Sequence, residues 1–104
     1  MIFNKKLSTS FGVEASLWEI VETVINTKTK TITVILAGYF DEQAYNDKKN
    51  PLEGKAFSNR VNKENKTKEE TQIESDIFDS LKVDKLPVKE VATNFINKYI
   101  KDFA

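Results

Sequence analysis

The chain has 104 residues, with 16 lysines and arginines against 16 aspartates and glutamates, and neither histidine nor cysteine. Such a length makes one domain with one modest core, because folding buries roughly 60–70 % of the surface of a chain this size. The composition excludes a disulfide framework, thiol nucleophiles, the commonest catalytic base and the usual zinc ligands, and its balanced charge lacks the basic excess of a nucleic-acid binder.

No run approaches the ~18 apolar residues of a membrane span, so no membrane insertion is expected. Residues 1–6, Met-Ile-Phe-Asn-Lys-Lys, lack the apolar stretch of a signal peptide. From Ile2 to Phe11 the chain alternates loosely through Phe3 and Leu7 and predicts an edge strand, broken by Ser8, Thr9, Ser10 and Gly12. Val13 to Leu17 leads into the strongest stretch, Trp18 to Phe40.

That stretch predicts a hairpin. Trp18, Ile20, Val21, Val24 and Ile25 mark one strand, to Asn26; Ile32, Val34, Ile35, Leu36 and Tyr39 mark the other, from Thr31. β-Branched and aromatic residues suit a pleated, half-buried surface and crowd a helix. Asn26 opens a polar link to Lys30, as turn chemistry requires. Neither strand alternates cleanly: Ile20 and Val21 point to opposite faces, as do Ile35 and Leu36. Both faces of the hairpin therefore need cover. Gly38 inside the second strand suggests a bulge or a close backbone approach.

Asp41 is the natural N-cap of a short helix, Glu42 to Lys48, with Ala44 and Tyr45 as its apolar contacts, ended by Asn50-Pro51. Leu52 to Val61 predicts another strand through Ala56 and Phe57, with Gly54 in a turn. From Ser58 to Gln72 only Val61 is apolar, which reads as a polar loop or a protruding arm. Ile77, Phe78 and Leu81 return at helical spacing. The clearest helix is C-terminal: Val88, Val91, Ala92, Phe95, Ile96, Tyr99, Ile100 and Phe103 form one stripe, with Pro87 in its first turn. The fold class is α+β, an antiparallel sheet built on the central hairpin with the C-terminal amphipathic helix packed on one face. Residues 1–104 make a single domain, with the polar segment at 58–72.

The acidic pairs offer little chemistry. Asp76 and Asp79 share a helix face, and Asp41-Glu42 and Glu69-Glu70 are adjacent. Paired acids work as acid and base only where burial separates their pKa values, and these stand among polar neighbours. Gly54-Lys55 fails as a phosphate loop, since Lys49 stands at the earlier glycine position and Ala56 follows the lysine. Asn65-Lys66-Thr67 matches a glycosylation acceptor by chance. Trp18 and Tyr39 are candidates for an aromatic ligand platform, although such residues more often anchor cores or interfaces. No catalytic residue, metal ligand, cofactor or small-molecule substrate is expected.

Three stretches carry a resemblance: Ser16-Leu17-Trp18-Glu19-Ile20, then Ala37 to Tyr45 (Ala-Gly-Tyr-Phe-Asp-Glu-Gln-Ala-Tyr), then Lys49-Asn50-Pro51-Leu52. Over roughly residues 12 to 57 this resembles small tail or baseplate-region proteins of siphophages and prophages of Gram-positive bacteria. Their fold is similar to the shoulder domain of lactococcal phage receptor-binding proteins. Asn50 departs from the glycine often found before the proline-led strand. The resemblance implies a non-enzymatic structural protein of a phage particle, made in the bacterial cytoplasm and located in the virion. Its partners would be tail or baseplate proteins, or further copies of itself. Trp18, Ile35 and Tyr39 are the candidate interface residues. A small host-directed or regulatory binding module is the alternative.

Overall fold

In the computed structural model, which describes residues 2–60 and 64–103, β1 (Ile2–Ser8), β2 (Glu14–Asn26) and β3 (Thr31–Tyr39) are followed by α1 (Glu42–Asn46) and β4 (Glu53–Ser58). Two helices close the chain, α2 (Lys68–Ser80) and α3 (Val88–Tyr99), with a 3-10 turn at Lys101–Phe103. The fold is α+β. Its strands form one antiparallel sheet in the order β1-β2-β3-β4.

β2 and β3 pair from Leu17↔Tyr39 to Asn26↔Thr31. Asn26 closes the turn, its Oδ1 accepting from the N–H groups of Lys28 and Thr29 at 3.0 and 3.1 Å. The broken alternation of β2 has a structural cause. The register slips by one residue between Ile20 and Glu22, a β-bulge. Before it, Trp18 and Ile20 lie beside Gly38 and Leu36; after it, Thr23 and Ile25 lie beside Val34 and Ile32. One inserted residue moves the inward positions from even to odd numbers.

On that face Trp18, Ile32, Val34 and Leu36 join Phe78 and Leu81 and, from α3, Val91, Ala92, Phe95 and Ile96 in one buried cluster. Full burial of each large apolar side chain contributes about 1.5–3 kcal/mol.

Several boundaries differ from the expectations. β1 stops at Ser8, because Thr9 turns the chain: its N–H and its hydroxyl both donate to the Val13 carbonyl, at 3.0 and 2.7 Å. Phe11 therefore sits in the turn. α1 ends at Asn46 rather than Lys48, which takes a left-handed φ of 57°. Gly54 is no turn residue; it pairs with Ala37 inside β4. Val61, the expected end of that strand, lies outside the described residues.

The polar segment 58–72 does not extend to Gln72. Thr67 caps α2 by accepting from the Glu70 N–H at 3.1 Å while Glu70 accepts from the Thr67 N–H at 3.2 Å, a reciprocal capping box. Asn59, in the same segment, is buried between β3 and α2.

The C-terminal stripe is not one helix to Phe103. Ile100 is extended (φ −98°, ψ 105°) and ends α3 at Tyr99. The break lets Phe103 meet Phe3, Trp18 and Phe57, with ring centroids 5.3, 6.1 and 5.9 Å apart. These aromatic contacts offset the helical hydrogen bonds forgone. Tyr99 does not lie on the sheet; its hydroxyl bonds Ser80 Oγ on α2 at 2.6 Å.

Candidate functional site

The two faces of the sheet are treated differently by the rest of the chain. α2 and α3 reach the core on the Ile32–Val34–Leu36 side. The opposite side carries Leu17, Ala37 and Tyr39, and here α1 contacts both β2 and β3. Leu17 and Ala37 are buried there, outside the main core cluster.

α1 is short and is placed by specific bonds. Asp41 Oδ1 accepts from the Ala44 N–H at 2.8 Å, which fixes the first turn. Tyr45 then meets Tyr39 edge-on, with centroids 5.1 Å apart. Its hydroxyl donates to Glu19 Oε2 at 2.6 Å. This hydrogen bond, with lesser contributions from burial and from the negative charge of Glu19, raises the Tyr45 pKa above its ordinary value.

Beyond α1 the same face is less covered. Ile35, half-buried, stands between Glu22 and Ala56 in the ladder. Val24, beside Thr33, is 50 % exposed, and Ala56 is exposed. Ile35, Val24 and Ala56 lie outside the main core cluster. This stretch is moderately apolar, with Glu22 as its charge. At the end of the sheet where β2 begins and β3 ends, Phe11 is 75 % and Phe40 57 % exposed. Ser16 Oγ holds the Phe40 carbonyl at 2.7 Å, so that the chain leaves β3 in a defined direction.

The candidate interface residues separate accordingly. Ile35 and Tyr39 share the less covered face. Trp18 does not: it is 0 % exposed, on the other face, and cannot touch a partner. Its indole Nε1 donates to the carbonyls of Lys5 (3.1 Å) and Ala15 (3.3 Å), which satisfies the one polar atom of a buried ring. Since Trp18 and Tyr39 lie on opposite faces, they form no common ligand platform. Lys55 Nζ instead stands 5.6 Å from the Trp18 ring centroid, a cation–π contact.

The acidic pairs are engaged in structure. Asp76 accepts from Gln72 Nε2 at 2.8 Å, and Asp79 pairs with Lys30 across to the hairpin turn at 3.2 Å. Among the described residues, no cluster of three or more acidic side chains is placed to hold a metal ion. Nor, among them, is any helix long and apolar enough to cross a membrane.

Three features escaped the sequence reading. Phe11 read there as the end of an edge strand and Phe40 as the end of the hairpin stretch, and their exposure depends on where the turns fall. Asn59 fell where the expected strand Leu52–Val61 overlaps the polar segment 58–72, yet its side chain bridges two elements. No local signal marks it. No protein family, curated protein or solved structure matches the chain.

Proposed function

We propose that this chain is a non-enzymatic assembly protein of a phage or prophage particle, placed in the tail or baseplate. In this reading the central hairpin and the C-terminal helix packed on one of its faces make a rigid module, and the other face docks on further copies or on a larger tail protein. One observation supports it most: the sheet face bearing Ile35 is roofed by α1 at the Tyr39 end, while Val24 and Ala56 at the other end remain exposed. A stable protein–protein contact needs about 800 Å² from each partner, and assembly of this kind needs complementary surface rather than catalytic groups. Phe11 and Phe40 at the sheet end add aromatic anchors of the kind enriched in interfaces.

The test has two arms. Sedimentation of the purified chain is expected to show an oligomer that Ile35→Lys disperses while leaving the thermal melt in place. Mass spectrometry of purified particles is expected to find the chain among their components. A strict monomer at high concentration, together with absence from particles, would replace this reading with a small regulatory binding module.

A further inference from the structure

We infer that a cleft between the β2–β3 turn and α2 binds a small tetrahedral oxyanion of the phosphate class, independently of the assembly reading. The cleft, of about 190 Å³, is lined by Lys28, Lys30 and Arg60 on one side and by Thr71, Glu74 and Ser75 of α2 on the other. A water molecule occupies about 30 Å³ in the liquid, so an oxyanion with part of its hydration shell fits.

The charges decide the sign of the ligand. Glu74, the carboxylate in the lining, is already held by Lys66 at 2.8 Å. Lys30 is offset by Asp79 at 3.2 Å. Lys28 and Arg60 have no ion pair among the described residues. The cleft therefore keeps two positive charges that nothing in the described chain neutralises.

Arg60 is also oriented in advance. Its Nε donates to Thr31 Oγ1 at 2.8 Å and its Nη2 to the Thr29 carbonyl at 3.0 Å. Both acceptors are neutral, so the bonds fix the guanidinium plane without cancelling its charge. A planar, positioned guanidinium binds oxyanions in two-point fashion, which a lysine cannot do. The backbone of the facing turn is tied by Asn26, and Ser75 brings a hydroxyl donor from α2. Holding donors in place before binding lowers the entropy lost when the anion arrives.

The test is an NMR titration of the full chain with inorganic phosphate, at constant ionic strength maintained with chloride. Saturable shifts are expected at the amides of Thr29, Lys30, Arg60 and Ser75. Lys28→Gln and Arg60→Gln should each weaken binding about tenfold, the scale of one charge-assisted hydrogen bond. Lys5→Gln with Lys6→Gln, on the far edge strand, should change nothing. Arg60 also ties the turn, so Lys28→Gln, which breaks no side-chain bond of the described structure, carries the test if Arg60→Gln melts early. Shifts that stay linear in phosphate, or equal affinity in Lys28→Gln, would overturn the site. A short single-stranded oligonucleotide forms the second arm. Binding more than about tenfold tighter than phosphate would overturn the small-anion assignment in favour of a nucleic-acid backbone.

Discussion

The indole of Trp18 lies so close over Gly38 that a Cβ at Gly38 would stand 2.6 Å from ring atoms Cη2 and Cζ3. The two residues face each other across the β2–β3 ladder. The ring has no room to withdraw, because its Nε1 is bonded to Lys5 and Ala15 and its edge meets Phe103. Glycine is thus required here for the space it leaves, since its φ is not in the left-handed region.

Gly38→Ala should therefore destabilise the fold by about 1–3 kcal/mol, the range for overpacking a core. Urea melts of the two proteins measure it. A cost under about 0.5 kcal/mol, the usual limit for harmless surface changes, would mean that the strands shift and the contact is soft.

Asn59 is the second point of sensitivity. Its Oδ1 accepts from the Ile32 N–H at 3.0 Å, and its Nδ2 donates to the carbonyls of Lys30 and Glu74, both at 2.9 Å. A single buried side chain thus links the start of β3 to α2. Asn59→Ala leaves up to three backbone groups short of a partner, at about 1–3 kcal/mol for each that water cannot reach. Asn59→Asp should fare no better, since a carboxylate oxygen would face two carbonyls. Hydrogen exchange at the Ile32 amide gives the local readout: it should accelerate in both variants. Unchanged exchange would show that another donor or water substitutes.

The β1–β2 turn should respond to acid. Glu53 Oε1 accepts from the Ser10 N–H at 3.0 Å. Bonding from the Ser10 hydroxyl and backbone holds the Glu53 carboxyl below its ordinary value of 4.5, with help from Lys55 and against a smaller effect of burial. A depressed carboxylate contributes stability that is present above its unfolded pKa and is lost as pH falls through the lower, folded one. Thermal melts should therefore show Glu53→Gln less stable than the parent at neutral pH, with the gap closing below pH 4.5. A gap that persists unchanged in strong acid would assign the effect to shape rather than charge.

Much of this molecule was legible locally. β-Branched residues in two runs around Asn26 specify the hairpin, Asp41 specifies where α1 starts, and the spacing of Val91, Ala92, Phe95 and Ile96 specifies the amphipathic character of α3. The capping box of Thr67 and Glu70 was also written in the sequence, beneath a polar composition that suggested a loop. These features depend on residues within about four positions of one another, the reach of caps, turns and helical faces. The tertiary structure decided the rest. A one-residue bulge near Val21 chose which side of β2 faces the helices, buried Trp18, and left Val24 exposed. Asn59 became structural only because Ile32, 27 residues earlier, came beside it. Phe103 left its helix because Phe3 and Trp18, near the opposite terminus, offered its ring more contact than another helical turn would have. Burial is a property of packed pairs far apart in the chain, and no local pattern records which pairs will meet.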